Sequence, residues 1–383
     1  MYRQLRDLEY TFQKLLDNLT QGHFFEKNMK YLMVHKVFSI PAISRLRRYL
    51  ACTTVTTLAV IGGQSVYAGT NFWSSSSCLN EFYKDTPPYL VRDSLKKNTT
   101  ALCFHGFNVM YSGMSKTPLW SAEHLTVQRL SHKIKREDSF HEEERVSPQF
   151  RATLRDYKGS GFDRGHMSPN GDMPDTLSQA DSFSLANMVP QAPKNNQDIW
   201  RKLEEATRST VTKQKHDAYV ITGPIFSGKK LSTIGNGVFV PSAVFKAVYY
   251  PQTGVIGAYY APNNNSLNVR VVSVCEIEDL TGINLFPTLN ESTKRKIYDL
   301  PLTGGEVKPA QKASYLSWDA KSECAEHVSD ADIQSLQKQF YAEGRTGNSA
   351  SGTISGIQER VIQFLKQLLP SILEFILKML KSS

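Results

Sequence analysis

The stretch Asp163-Arg164-Gly165-His166, followed by Asn187, Asn196 and Glu204, brings an arginine, a histidine, two amides and a carboxylate within about forty residues. No cysteine and no second histidine accompany them to make a zinc site, and no glycine-rich loop offers a nucleotide cradle. What remains is oxygen ligands for a hard cation, an imidazole that can take a proton from water near neutral pH, and a guanidinium whose fork matches two phosphate oxygens. That combination suits metal-assisted cleavage of a phosphodiester.

Each residue also has a plainer reading. A lone histidine is more often a core residue than a base, but His166 lies between Gly161 and Pro169, where the chain can turn and present side chains. Arg164 has Asp163 or Asp172 as an ordinary surface ion-pair partner. Asn196 stands where a helix N-cap belongs. Eight residues of regular helix rise about 12 Å, so Asn196 and Glu204 cannot both touch one ion unless the helix is bent or broken. The other solution, and the favoured one, is that Glu204 acts through water, since Mg²⁺ keeps several waters.

The elements that must position these residues read as α+β rather than as an alternating βαβ series. Gly106 to Leu130 suggests a strand or two carrying Trp120, and Lys133 to Arg145 a charged connection with Phe140 set in it. Gly159-Ser160-Gly161 is a turn that delivers Phe162 to His166. Apolar Ile199, Trp200, Leu203 and Ala206 predict a helix from near Gln197 to about Lys213. Strands follow at Ala218–Thr222, closed by Gly223-Pro224, then at Ala243–Tyr250, Gly254–Tyr260 and Val269–Cys275. Glu276–Thr281 makes a helical turn ended by Gly282.

Asp163-Arg164-Gly165-His166-Met-Ser-Pro resembles the signature of the DNA/RNA non-specific endonuclease family, the ββα-metal or His-Me finger nucleases. The series Asn187, Asn196, Glu204 has the family's spacing, and Gln191 and Trp200 fit as well. Thr222-Gly223-Pro224, Pro241-Ser242, Glu276-Ile277 and Thr281-Gly282 are similar in order and spacing, so the likeness runs over roughly 104–300. The resemblance implies a ββα-metal fold with a central antiparallel sheet. It also implies a role for each matched residue. His166 would be the general base, Asn196 the direct ligand of one Mg²⁺ (Mn²⁺ as the alternative), and Glu204 the holder of its waters. Arg164 and Asn187 would support the phosphate and the site. The family's upstream arginine is matched best by Arg136, with Arg145 and Arg151 as alternatives. DNA and RNA would be the substrates, cut to leave 5′-phosphate ends.

The ends read differently. Arg45, Arg47 and Arg48 precede the uncharged run Leu50–Gly62 and the small-residue site Val66-Tyr67-Ala68, which together read as a targeting signal over 1–68. Its loss would lower the formal charge from +9 to +4, because residues 1–50 hold nine Lys/Arg and four Asp/Glu; net basicity is then weak support for a polyanionic partner. An exported chain, periplasmic or secreted, can pair its cysteines: Cys78 with Cys103, and Cys275 with Cys324 unless Cys275 is a plain buried thiol. Residues 69–103 read as a surface wrap, 104–325 as the nuclease domain, 326–356 as a linker, and 357–381 as an amphipathic helix bent at Pro370. The tail's apolar face has three destinations: a second copy, giving a homodimer, a membrane interface, or its own domain. A rival from another class follows, an exported membrane-associated protein whose tail is the effector and whose centre only binds nucleic acid.

Overall fold

Ala243-Val-Phe-Lys-Ala-Val-Tyr-Tyr250 is buried along its whole length, which only a strand covered on both faces can satisfy. In the computed structural model, which describes residues 76–228 and 231–346, it lies inside a seven-stranded sheet. The strands are β1 Thr99–Phe104, β2 Phe107–Ser112 and β3 Thr117–Leu125, then β6 Ala218–Ile225, β7 Ala243–Tyr250, β8 Val255–Pro262 and β9 Arg270–Val272. A separate hairpin, β4 Asp163–His166 with β5 Met188–Gln191, falls between β3 and β6 in the chain. The sheet order is β9-β8-β7-β6-β3-β2-β1, and every neighbouring pair is antiparallel.

The two-residue period of a strand divides β7 between two cores. Ala243, Phe245, Ala247 and Tyr249 face one side, with Trp120, Ile221 and Ile256. Val244, Val248 and Tyr250 face the other, with Val220, Tyr259 and Val189 of the hairpin. Helix α2, Arg201–Gln214, follows α1, Thr176–Ser182, and lays Leu203 and Val211 on that second face beside Trp200. Burial of each such side chain contributes about 1.5–3 kcal/mol, so the sheet, the hairpin and α2 are held by one apolar contact surface.

Several boundaries differ from the sequence reading. Gly223-Pro224 does not end its strand: β6 continues to Ile225. Pairing with β3 stops at Thr222, so Pro224, paired only with Val244 of β7, needs no second hydrogen bond. At Gly223 a Cβ would stand 2.6 Å from Leu119 O, which makes the glycine a packing requirement rather than a breaker. The strand expected over Val269–Cys275 is shorter. Ser273 caps α3, Val274–Thr281, by accepting the Glu276 N–H, so Cys275 sits in a helix. Gly282 closes α3 with φ of 71°, as the spacing indicated.

The segment expected as a surface wrap buries Cys78, Leu79, Phe82 and Leu90 in the first core, and β1 at its end is a full sheet strand. The stretch expected as a linker, 326–356, holds α4, Asp330–Thr346. Leu336 and Phe340 of α4 are buried, and Phe340 meets Phe82 edge-on at 5.2 Å and Trp120 at 5.9 Å. Apolar residues four apart made α4 a core helix where composition suggested only polarity. Both expected disulfides are formed, Cys78–Cys103 and Cys275–Cys324. The targeting signal and the amphipathic tail lie outside the described residues.

Because Phe340 seals the seam between the N-terminal segment and the sheet, Phe340→Ala should cost about 3–5 kcal/mol. Urea unfolding measures this. A loss below about 1 kcal/mol would mean that α4 does not belong to the cooperative unit.

Candidate active site

The hairpin that carries the signature is set by glycines at two places. Gly159 and Gly161 take φ of 71° and 80°, left-handed values that turn the chain into β4. Gly165, paired with Val189, faces Gln191 so closely that a Cβ would come within 1.9 Å of its Oε1 and 2.7 Å of its Cβ. Gln191 then donates from Nε2 to Asn195 Oδ1 at 2.5 Å, and Asn195 donates from Nδ2 to Pro262 O of β8 at 2.8 Å.

From Asn195 to Trp200 the chain is π-helical and runs directly into α2. In a regular α-helix, residues eight apart are rotated by roughly 80° and separated by about 12 Å. The wider π turn shortens the rise and rotates Asn196 back toward the face that carries Glu204. The premise of a regular α-helix therefore fails: the helix changes pitch between the two residues and continues unbroken. Nor is Asn196 a cap. Its Nδ2 donates to Asp163 Oδ2 at 2.9 Å, and Gln197 Nε2 donates to the same oxygen at 2.8 Å.

These elements enclose a cavity of about 720 Å³ whose wall includes Arg136, Arg164, His166, Asn196, Arg201 and Glu204. His166 is 8% exposed. Phe183 meets its ring edge-on at 5.0 Å and Phe140 lies 5.8 Å away. Burial, then the nearby charge of Arg136, pushes its pKa down to about 3, so the ring is neutral at physiological pH. Its Nε2 is buried with no hydrogen-bond partner, which leaves Nδ1 as the nitrogen open to the cavity. The same two phenylalanines hold the arginines: Arg164 lies 3.8 Å over Phe140, and Arg136 lies 5.2 Å over Phe183 while its Nε donates to Asp138 at 2.6 Å. Arg164 thus pairs with neither Asp163, which serves the amides, nor Asp172, which holds Arg208 at 2.6 Å.

The oxygen donors fit a hard cation. Asp163 fixes the Asn196 amide by its nitrogen and leaves Oδ1 to the cavity. Glu204 forms no ion pair among the described residues; burial raises its pKa to about 7 against the pull of Arg208 and Lys246. A neutral amide oxygen and a half-buried carboxyl without an ion-pair partner, on one wall, are oxygen donors that would suit a divalent cation. Zinc is a poor fit, because the described cysteines are all in disulfides.

Not every residue singled out reaches the cavity. Asn187 is fully buried behind it: Nδ2 donates to Ser168 O and Ser182 O, and Oδ1 accepts the Ser168 N–H. With its amide fully engaged it cannot contact a phosphate; it fixes the loop that follows His166. Of the three candidate upstream arginines, Arg136 lines the cavity. Arg145 is held by Glu143 and Cys103 O, and Arg151 is not on the wall. The sequence reading missed Asp163 as an amide anchor and Phe183 as the ring shared by His166 and Arg136. Phe140, an aromatic alone in a charged run, carried a signal; Phe183 carried none.

A family profile described as DNA/RNA non-specific endonuclease matches residues 88–292. Nuclease C1 of Cunninghamella echinulata var. echinulata is 34% identical over 228 residues, 54% of this chain and 87% of that protein. Mitochondrial endonuclease G of Homo sapiens is 36% identical over 199 residues, covering 47% and 67%. A chain from the solved EndoG/EndoGI complex overlays with a TM-score of 0.46 at 26% identity, over 51% of this chain and 89% of that one. The chain belongs to the DNA/RNA non-specific endonuclease family and is an endonuclease, a hydrolase.

The buried neutral imidazole has a signature in stability. Its folded pKa, about 3, lies below the ordinary 6.5, so between these values the unfolded chain binds the extra proton and stability falls as pH falls. His166→Phe, compared with the parent by thermal unfolding in EDTA from pH 7 to 4, should lose less stability over that range. Parallel curves would show that His166 protonates freely in the folded state.

Proposed function

From membership of this family, we propose that the chain is a metal-dependent, sugar-non-specific endonuclease that hydrolyses phosphodiester bonds of DNA and RNA and leaves 5′-phosphate ends. The observation that carries the reading is the meeting of His166, Asn196, Glu204, Arg136 and Arg164 on one cavity wall. With the ring proton on Nε2, Nδ1 of His166 accepts a proton from a water molecule, and the resulting hydroxide attacks phosphorus in line with the 3′-oxygen. The bond to that oxygen breaks, and the 3′-oxygen takes a proton from solvent water to leave as a hydroxyl. The guanidiniums of Arg136 and Arg164, stacked on rings rather than neutralised by buried carboxylates, stabilise the phosphate's equatorial oxygens. Asn196 Oδ1 and, through water, the Glu204 carboxylate would hold Mg²⁺ or Mn²⁺, which when bound would supply charge stabilisation for the leaving oxygen.

Every cation assigned here addresses phosphate, and phosphate contacts carry no base information; this supports cutting of both polymers with little sequence preference. The two disulfides support work in an oxidising compartment, reached by export. A homodimer and membrane contact, both of which would use the tail, remain part of the same proposal.

Supercoiled plasmid and RNA incubated with the chain should both be cut in Mg²⁺ and spared in EDTA. His166→Ala should lower the rate by about 10²–10⁴ with the fold intact. Failure to cut either polymer in Mg²⁺ sinks the reading.

Glu204 adds a pH dependence. Its carboxyl holds a proton up to about pH 7 in the metal-free site, so the cation must displace that proton. The Mg²⁺ concentration for half-maximal rate should therefore rise about tenfold per pH unit below 7, and Glu204→Gln should abolish the slope. A flat Mg²⁺ requirement between pH 5 and 7 contradicts this assignment.

A further inference from the structure

Beside the catalytic cavity lies a second of about 580 Å³, and Arg201 belongs to the walls of both. The same two pieces of chain border the pair. On one side, segment 133–136 gives Lys133 to the second cavity and Arg136 to the first; on the other, α2 gives Glu204 to the first and Arg208, Ser209 and Thr212 to the second. The two cavities therefore adjoin at Arg201, which walls both.

The far wall is built, not incidental. Thr303, Gly304 and Gly305 line it, and a Cβ at Gly304 would come 2.8 Å from Ser209 Oγ, so the loop is seated on α2. Lys213 Nζ clamps it there by donating to Gly304 O at 2.9 Å and Val307 O at 3.1 Å.

The lining carries Lys133, Arg201, Lys202 and Arg208 against a single carboxylate, Glu205. Hydroxyls of Ser209 and Thr303 and the bare backbone of two glycines complete it, a neutral donor set suited to phosphate oxygens; the Thr212 hydroxyl donates to Arg208 O of its own helix. Arg208 is fixed to Asp172 and shapes the floor, whereas Lys133 makes no ion pair among the described residues and Lys202 reaches only Asp198 on the surface of its own helix. From Glu204 to Thr212 the axis of α2 advances about 12 Å, a length that can lie along the backbone of one strand.

We propose that this second cavity binds the sugar-phosphate backbone of the substrate strand to one side of the scissile bond, with Lys133 and Lys202 as its phosphate contacts. The proposal rests on the nuclease reading above. It places these lysines in strand binding and not in the chemistry.

The test compares the full chain with its Lys133→Ala/Lys202→Ala variant on two substrates, a 20-nucleotide single strand and bis(p-nitrophenyl) phosphate, a diester too small to leave the catalytic cavity. KM for the oligonucleotide should rise on the order of tenfold at 0.1 M salt, and the slope of log affinity against log salt should shrink by about 1.4, for two contacts at about 0.7 each. Turnover of the small diester should not change. Unchanged KM and salt slope overturn the proposal, and so does an equal loss on both substrates, which would place the lysines in the catalytic centre or the fold. Anisotropy of the labelled oligonucleotide in EDTA reads the same two contacts without cleavage. A chain that binds through the lysines yet cuts nothing would refute the nuclease reading alone.

Discussion

The site depends on a contact with no spare room, the approach of Gln191 to the backbone at Gly165. Any side chain at 165 would push Gln191 away, and Gln191 is the first link in a chain of bonds that ends on the sheet. Its amide holds Asn195, Asn195 holds Pro262 O, and the next residue, Asn263, donates to Pro190 O at 2.9 Å while accepting the Ala192 N–H at 2.7 Å. Both strands of the hairpin and the start of the π turn are thereby referred to one end of β8. The sheet is rigid because it is buried on both faces, so the hairpin inherits that rigidity. His166 and Asn196, thirty residues apart in sequence, hold their relation through β8 and through the bond from Asn196 to Asp163 of the strand that carries His166.

On this frame the cavity carries its electrostatics in an unusual way. Burial strips water from His166 and leaves Nε2 without a partner, a cost of about 1–3 kcal/mol. Phe140 and Phe183 explain how the cost yields a usable base. They exclude water from one side of the imidazole while their faces attract Arg164 and Arg136. Aromatic faces hold a guanidinium in place without neutralising it, and the charges of Arg164 and of Arg136, the latter partly offset by Asp138, add to burial in keeping a proton off the histidine. Cation placement and base strength are one arrangement.

Much of this was legible in the sequence, and the remainder was hidden for identifiable reasons. The base, the amide ligand and the carboxylate are chemical types at fixed spacing, so Asp163–His166, Asn196 and Glu204 could be read directly. Strand β7 could be read to the residue because a fully buried strand is apolar almost throughout, Lys246 being its one charged residue. The π turn could not, since i+5 hydrogen bonding is imposed by Gln191, Asn195 and the sheet rather than by local propensity, and a regular helix was the wrong ruler for the distance from Asn196 to Glu204. Asn187 carried the right type and spacing, yet its role depends on what surrounds its amide, which spacing does not encode. The same holds for Pro224, harmless because β3 ends beside it, and for α4, whose polar composition concealed Leu336 and Phe340 at helical spacing.

Net charge misled for a related reason. What matters to a polyanion is not the number of cations but how each is held. Arg129 lies between Glu81 at 3.0 Å and Glu123 at 3.3 Å and also donates to Asp172 O; its charge is spent inside the fold. Lys294 is buried on Glu278 at 3.0 Å, and Lys246 points into the second core toward Thr222 and Trp200. These residues count fully toward the formal charge and project almost nothing outward. Arg164, stacked on a ring, and Lys133, without an acid partner among the described residues, have few neighbours to cancel their field, and Arg136 is paired only with the exposed Asp138. Because a cleft with low-dielectric walls focuses the field of such groups, a handful of them outweighs the larger number that are internally paired. A chain of modest net charge can therefore present a strongly positive groove, provided its carboxylates are assigned to the cations that build the fold and withheld from those that face the substrate.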